Sequence, residues 1–191
     1  MPADCFLPPL TLVLGGARSG KSALAERLVL DQAKTPHYVA TAEAGDLEMQ
    51  QRIARHQARR GDSWITHEVP LALGDTLADV FGAADRSEGD EGPIVLVDCL
   101  TLWLSNLMFA ERDVNEEIAS LSQRMANLPG PIVAVSNEVG LGIVPDNALA
   151  RRFRDLAGQL NQTVAAGAQS VIFVAAGLPM TLKGPVLIGT S

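Results

Sequence analysis

Eight consecutive residues near the start of the chain have the types and the spacing of a phosphate-binding loop. They are Gly15, Gly16, Ala17, Arg18, Ser19, Gly20, Lys21 and Ser22, which fit the pattern G-x-x-x-x-G-K-S. Glycines let a backbone wrap closely around an anion, with its N–H groups pointing inward. In this pattern the lysine reaches the β- and γ-phosphates of a nucleotide, and the serine hydroxyl holds Mg²⁺. The spacing therefore predicts a nucleoside triphosphate site, and the alternative is a glycine-rich turn.

The sequence around this segment supplies the two elements that a phosphate loop needs. An apolar run over residues 10–14 precedes it and is typical of a strand, and residues 22–32 have the pattern of a helix. The positive N-terminal end of that helix would face the phosphates. This strand–loop–helix context favours a nucleotide site over a chance turn.

The rest of the chain alternates between strand and helix patterns. Strands are predicted at residues 10–14, 37–41, 64–69, 94–98, 132–135 and 171–175. Helices are predicted at residues 22–32, 47–60 and 71–84, from a capping Asp113 onward, and at about 149–167. This alternation predicts a three-layer α/β/α fold with a mostly parallel sheet, whose ligands bind at the carboxyl ends of the strands.

Polar residues stand at several of those strand ends. Asp98 ends the apolar strand 94–98, where phosphate-loop enzymes carry an acid that holds a metal ion. We therefore predict that Asp98 and Ser22 bind Mg²⁺, and the alternative is that Asp98 caps the next segment. Asn137 and Glu138 follow another strand, and for them a ligand contact and a helix-entry turn remain equally open.

The predicted helix 47–60 is unusually basic. Arg52, His56, Arg59 and Arg60 are spaced so that they share one face. Guanidinium groups suit phosphate oxygens, and a histidine among arginines is biased toward the neutral imidazole that a nucleophile requires. Spacing alone nevertheless favours a solvated basic surface, with catalysis by His56 as the alternative.

Composition limits the classes of protein that the chain can belong to. Its 191 residues suit one domain over 1–191, with residues 1–8 and about 184–191 expected to be flexible tails. The net charge of −7 argues against a broad nucleic-acid surface.

The apolar stretch 94–109 is too short and too interrupted for a membrane span, and no secretory signal is evident. Two cysteines make no disulfide or zinc pattern, which favours the cytoplasm, and Cys99 is expected to be buried.

Several separate segments together resemble one known family. They are GGARSGKS at 15–22, YVAT at 38–41, RIARH at 52–56, NEVGLGIVP at 137–145 and RRFRDLAGQLNQ at 151–162. In this order they resemble the bifunctional adenosylcobinamide kinase/adenosylcobinamide-phosphate guanylyltransferase family of cobalamin synthesis. The resemblance implies a kinase step that uses ATP or GTP with Mg²⁺. It also implies a second step that transfers GMP from GTP to the corrinoid phosphate and releases pyrophosphate.

The resemblance also assigns roles to individual residues. It implies that His56 is the nucleophile that carries the guanylyl group, beside the catalytic Lys21. The implied nucleotide contacts outside the phosphate loop are Val39, Ala40, Thr41, Gln57, Ala58, Arg59, Arg60, Glu68 and Asp98. A homotrimer is implied as well.

Two other functions compete with the bifunctional transferase. One is an enzyme that retains only the kinase or only the guanylyltransferase step. The other is a nucleotide-dependent switch, but the chain lacks the Asn-Lys-x-Asp run that such a protein needs for GTP. A switch would also gain nothing from a stripe of arginines with a histidine.

Overall fold

The computed structural model describes residues 7–43, 63–83 and 92–187. The strands are β1 Leu10–Gly15, β2 Thr35–Ala40, β3 Ile65–Glu68, β4 Pro93–Asp98, β5 Ile132–Asn137, β6 Ser170–Ala175 and β7 Leu178–Lys183. The helices are α1 Lys21–Leu30, α2 Leu73–Gly82, α3 Leu100–Phe109, α4 Val114–Asn127 and α5 Ala148–Gly167. The predicted helix 47–60 lies outside the described residues.

The seven strands form one sheet in the order β3-β2-β4-β5-β1-β6-β7. All neighbouring pairs are parallel except β6 and β7, which are antiparallel. One apolar cluster joins the sheet to α1, and a larger one joins the opposite face to α2, α3, α4 and α5. The prediction of a three-layer α/β/α fold with a mostly parallel sheet is confirmed.

Burial explains why the central strands have such apolar sequences. Residues 94–97 of β4 are each 0% exposed, because both faces of the sheet are covered by helices. The predicted cap at Asp113 is also confirmed, since its side chain accepts hydrogen bonds from the N–H groups of Asn115 and Glu116 at the start of α4.

Helix α3 and strand β7 were missed by the sequence predictions. In the apolar run 94–109, β4 passes into α3 through extended Cys99, whose side chain makes no capping hydrogen bond, so no local signal marks the change. Strand β7 follows a two-residue turn in which Ala176 and Gly177 both have positive φ, of 52° and 80°. Alanine is uncommon in such a turn, so the hairpin was not evident.

The ends of the described chain pack against the sheet. Leu7 is 2% exposed and Leu187 is 9% exposed, and both belong to the apolar cluster on the α1 face. At these two residues the chain differs from the expectation of flexible tails, because burying an apolar side chain offsets the entropy of ordering it.

None of the helices in the described ranges is both long enough and apolar enough to cross a membrane.

Candidate active site

The phosphate-loop residues connect the end of β1 to the start of α1. Lys21 is the first residue of α1 and is only 7% exposed, and its Nζ donates a hydrogen bond to the carbonyl of Gly16 at 3.0 Å. Gly20 precedes the helix with φ of 97°, a conformation that side chains other than glycine rarely adopt. The ammonium group is therefore held against the loop by the loop's own backbone.

Neighbouring strands hold the loop on both sides. The carbonyl of Gly15 accepts a hydrogen bond from the N–H of Glu138, which follows β5, at 3.0 Å. The carbonyl of Ser19 accepts one from the N–H of Gly177, in the β6–β7 turn, at 2.8 Å. The loop is thus fixed by the strands that flank β1.

The hydroxyl of Ser19 is suited to a phosphate oxygen. Ser19 is 9% exposed, and its Oγ has no hydrogen-bond partner within the described ranges. A buried hydroxyl without a partner costs about 1–3 kcal/mol, and an anion bound in the loop would remove that cost. The loop geometry therefore supports a phosphate site rather than a simple turn.

Replacing Gly15 by alanine is expected to destabilise the fold. A Cβ atom at this position would lie 2.5 Å from the Oγ of Ser19 and 2.6 Å from the carbonyl oxygen of Val174, both closer than contact allows. We expect a loss of about 1–3 kcal/mol in the free energy of unfolding, measured in urea without nucleotide. Gly16→Ala is the matched control, because a Cβ there meets nothing within 4 Å. Equal stability of the two variants would contradict the packing that the loop requires.

Asp98 and Ser22 supply oxygen atoms of the type that Mg²⁺ prefers. Asp98 is half-buried at the end of β4, and one carboxylate oxygen accepts a hydrogen bond from the Tyr38 hydroxyl at 3.0 Å. Ser22 is half-buried in the first turn of α1. One strand, β5, lies between β4 and β1. The end of β4, which carries Asp98, is therefore about 10 Å from the end of β1, where the phosphate loop begins. In nucleotide sites Mg²⁺ takes few protein ligands, and phosphate oxygens and water molecules complete its coordination. The Ser22 hydroxyl and the Asp98 carboxylate fit that requirement.

No group of three or more metal-ligating side chains occurs in the part of the chain that the structure describes.

Two of the three predicted contacts at the carboxyl end of β2, Val39 and Thr41, have side chains that already serve the fold. Val39 is 0% exposed and belongs to the core on the α2–α5 face. Thr41 is 0% exposed, and its hydroxyl donates to the carbonyl of Cys99 at 2.7 Å and accepts from the N–H of Cys99 at 2.9 Å. Both side chains therefore serve the fold, and the N–H of Thr41 is also occupied, by the carbonyl of Asp98 at 3.2 Å.

A polar network beneath this edge of the sheet was not foreseen from the sequence. The side-chain amide of Asn106, in α3, donates to the carbonyls of Thr41 at 2.8 Å and of Pro70 at 3.0 Å, and so ties the chain after β2 to the chain after β3. The amide of Asn137 donates to the hydroxyl of Thr101 at 2.7 Å. The only sequence signal for Asn106 was a polar side chain inside an apolar run.

Cys99 belongs to the same network and is buried, as predicted. Its Sγ lies 3.2 Å from the Thr101 hydroxyl. Burial raises the pKa of its thiol, and the negative charge of Asp98 raises it further. Cys99 is therefore a protonated structural thiol rather than a nucleophile.

Glu68 lies exposed at the end of β3, in register with Ala40 of β2, which is itself in register with Asp98 of β4. Because paired residues of parallel strands point to the same face, these three side chains lie on the α1 face of the sheet. The structure thus places three predicted nucleotide contacts, Glu68, Ala40 and Asp98, on the α1 face at the carboxyl ends of their strands.

On the opposite face, His37 and His67 form a pair that the sequence did not predict. His37 Nδ1 lies 3.0 Å from His67 Nε2, and the ring planes differ by 8°. The ring centroids are 5.3 Å apart although the two nitrogens are only 3.0 Å apart, so the rings meet edge to edge, nearly in one plane, and share one hydrogen bond. The pair lines a pocket of about 650 Å³ together with Ile65, Thr76 and Asp79.

This pair is expected to make the fold less stable in acid. Burial lowers the pKa of His37, and the charge of His67 lowers it further. The pKa of His37 is about 6.5 in the unfolded chain and lower in the folded one, so the unfolded chain binds a proton more readily. The free energy of unfolding therefore decreases as the pH falls below about 6.5. Urea unfolding of the wild type at about pH 7.5 and pH 5.5 should show this loss, and His37→Asn should show a smaller one. The same pH dependence in both proteins would refute the assignment to His37.

Two arginines at the start of α5 have their charges occupied locally. The guanidinium of Arg151 donates to the carbonyls of Pro145 and Asp146, and Arg154 pairs with Asp155 at 3.2 Å. The described contacts thus occupy both guanidinium groups within the chain.

The remaining predicted site residues are His56, Gln57, Ala58, Arg59 and Arg60. They lie outside the described residues.

The sheet is mostly parallel, and a glycine-rich loop joins its interior strand β1 to α1. With a lysine at the start of that helix and an acid at the end of β4, this arrangement defines a phosphate-loop nucleotide-binding protein. Comparisons with known proteins then give the family. The family model described as cobinamide kinase / cobinamide phosphate guanyltransferase matches residues 11–182. The chain belongs to this family of transferases, as the sequence resemblance predicted.

Two curated relatives support the assignment. The chain is 51% identical over 178 residues to the bifunctional adenosylcobalamin biosynthesis protein CobP of Pseudomonas aeruginosa, covering 92% of this chain and 98% of the relative. It is 40% identical over 189 residues to the bifunctional adenosylcobalamin biosynthesis protein CobU of Salmonella typhimurium, covering 91% and 99%.

Solved structures support the fold alone. The Pyrococcus horikoshii protein PH0250 matches with a TM-score of 0.53 and 11% identity over 95% of this chain and 90% of its own. A second solved structure, an ATPase domain, matches with a TM-score of 0.50 and 12% identity over 86% of this chain and 68% of its own.

Proposed function

We propose that this chain catalyses both reactions for which its family is named. In the first reaction, the aminopropanol hydroxyl of adenosylcobinamide takes the γ-phosphoryl group of ATP or GTP, so that ADP or GDP leaves and the hydroxyl proton is released. In the second, the resulting phosphate takes GMP from GTP, which gives adenosylcobinamide-GDP and pyrophosphate. The observation that carries the proposal is the family match over residues 11–182, which includes the phosphate loop whose geometry is described above.

The loop residues suit phosphoryl transfer, because this reaction depends mainly on positioning and on neutralising charge. The loop N–H groups and the Ser19 hydroxyl would hold phosphate oxygens. Lys21, held at the carbonyl of Gly16, would neutralise the β- and γ-phosphates. Ser22 and Asp98 would hold Mg²⁺, which supplies positive charge to the phosphates when it is bound.

For the second reaction we propose a covalent histidine intermediate. A neutral ring nitrogen of His56 attacks the α-phosphorus of GTP, so an N–P bond forms and the bond to pyrophosphate breaks. A phosphate oxygen of the corrinoid then attacks the same phosphorus, and the N–P bond breaks. Arg59 and Arg60 would neutralise the departing pyrophosphate. This assignment rests on the position of His56 in the family motif.

Two further properties are part of the proposal. We expect the protein to act in the cytoplasm, where its nucleoside triphosphate substrates are found. We also expect a homotrimer by family resemblance, which light scattering of the purified protein would test.

The proposed function can be tested with purified protein and adenosylcobinamide. With ATP and Mg²⁺ the corrinoid should become phosphorylated, and after GTP is added it should be converted to adenosylcobinamide-GDP. Chromatography with mass detection separates the three corrinoids. An enzyme that retains only the kinase step would stop at adenosylcobinamide phosphate. An enzyme that retains only the guanylyltransferase step would act on added adenosylcobinamide phosphate but not on adenosylcobinamide. Hydrolysis of nucleotide without any modified corrinoid would overturn the proposal.

A further inference from the structure

The segment after β5 exposes an unusual number of large apolar side chains. Leu141 is 83% exposed, Ile143 is 98%, Val144 is 56% and Leu149, in the first turn of α5, is 58%. We refer to these four residues as the apolar loop surface. Single exposed apolar residues are ordinary, but a cluster of this kind marks a binding surface.

Hydrogen bonds hold this segment in place. The N–H of Glu138 is bonded to the phosphate loop through Gly15, at one end of the segment. At the other end, Arg151 donates to the carbonyls of Pro145 and Asp146, and Asn147 caps α5 by accepting from the N–H of Ala150. Polar contacts therefore fix a segment whose apolar side chains point into water. Such an arrangement fits a preformed binding surface.

The surface lies directly beside the phosphate loop. Strand β1 stands between β5 and β6, so the segment after β5 flanks the loop on one side. On the other side is Leu178, which is 70% exposed and follows Gly177, whose N–H is bonded to Ser19. A molecule resting on both flanks would lie across the mouth of the loop, and an arm reaching inward from it would meet the γ-phosphate.

The charge around this surface favours a cation or a neutral molecule over a nucleotide. Residues 138–150 include the carboxylates Glu138 and Asp146 and contain neither lysine nor arginine, and the one guanidinium that contacts them in the described ranges, that of Arg151, is bonded to the carbonyls of Pro145 and Asp146. Adenosylcobinamide carries a positive charge, because cobalt(III) is bound by a corrin monoanion and one alkyl anion. The rim of its macrocycle bears methyl groups and uncharged amides. Its charge and its apolar rim therefore both complement this segment.

A second copy of the chain is a poorer occupant of the same surface. The net charge of −7 on a partner copy gives it no general attraction toward Glu138 and Asp146. The corrinoid brings the opposite charge and must in any case place its hydroxyl at the phosphate loop.

We propose that the apolar loop surface, together with Leu178, is the docking surface for the corrin macrocycle in both reactions. This inference rests on the proposed function for the identity of the corrinoid. It goes beyond that function by assigning substrate contacts to residues that have no part in nucleotide binding.

The double variant Leu141→Asn/Ile143→Asn tests this surface. Both side chains are almost fully exposed, so the fold should be retained. We expect the KM for adenosylcobinamide in the kinase reaction to rise by about tenfold or more, which corresponds to about 1.4 kcal/mol. The KM for ATP should remain within about twofold of the wild-type value, since nucleotide contacts are unchanged. Guanylylation of the protein by GTP alone, which needs no corrinoid, should also be retained.

Leu30→Asn is the matched control. Leu30 is 52% exposed at the far end of α1, about 15 Å along the helix from the phosphate loop. Its corrinoid KM should equal that of the wild type. Unchanged corrinoid KM in the double variant would overturn the proposal. A loss of oligomeric mass by light scattering in the double variant would also overturn it, because the surface would then bind a second copy.

Equilibrium dialysis of adenosylcobinamide without nucleotide separates this inference from the proposed function. If the wild type binds the corrinoid but does not modify it, the proposed function fails, and weaker binding by the double variant still supports the surface. If the wild type does not bind the corrinoid at all, both fail.

Discussion

Replacement of Lys21 by methionine is expected to lower the rate of corrinoid phosphorylation by roughly 10²–10³-fold, the usual cost of removing one preorganised group that stabilises charge in the transition state. Lys21 is 7% exposed and its Nζ is held 3.0 Å from the carbonyl of Gly16, so the ammonium is already in place before a nucleotide arrives. Methionine fills similar space without the charge. The fold should therefore persist while the neutralisation of the β- and γ-phosphates is lost.

Steady-state rates with ATP and adenosylcobinamide, together with a urea unfolding curve, measure this effect. Arg27→Met is the matched control, because it removes an exposed cation from the same helix, and it should retain wild-type activity. Lys21→Arg should not restore the rate, since a planar guanidinium has a different size and geometry from an ammonium. If Lys21→Met keeps the wild-type rates of both reactions, the phosphate loop is not the site of triphosphate chemistry.

The substitution His56→Ala is expected to abolish the covalent guanylyl-protein and the second reaction together. Without the imidazole there is no nitrogen to form the N–P bond. The kinase reaction does not use this bond, so phosphorylation of the corrinoid should continue. The protein should thus change from a bifunctional enzyme to a kinase.

Incubation with GTP labelled at the α-phosphate measures the intermediate directly. The wild type should carry a label that is lost in acid and stable in alkali, as a phosphoramidate is. His67→Ala serves as the control, because His67 pairs with His37 on the opposite face of the sheet from Asp98, and it should still be labelled. Label that persists on His56→Ala would mean that another residue is the nucleophile.

The parts of the site that the sequence predicted are those encoded by short contiguous patterns. The phosphate loop is one such pattern, because strand, glycines, lysine and helix follow each other within about twenty residues and each imposes its own local conformation. Asp98 was recognised because an apolar run ends in a carboxylate. The strands themselves were predicted because two-sided burial leaves a continuous apolar sequence.

The parts that were missed depend on contacts between distant residues. Nothing in the sequence near Asn106 shows that its amide meets both Thr41 and Pro70, since those contacts span 65 and 36 residues. The His37–His67 bond likewise requires the register of β2 against β3. Helix α3 was missed because a buried helix and a buried strand have the same apolar composition and no cap separates them.

The two hydrogen bonds that the Asn106 amide donates to Thr41 and Pro70 bear on how members of the family can differ in length. Residues 42–69, which include strand β3, connect two carbonyls, those of Thr41 and Pro70, that one side chain holds together. For a flexible loop with fixed ends, each doubling of length costs only about 0.6 kcal/mol of closure entropy. Insertions and deletions between Thr41 and the start of β3 should therefore leave the strand ends and the phosphate loop where they are. Residue numbering can then drift between relatives at little cost to the framework.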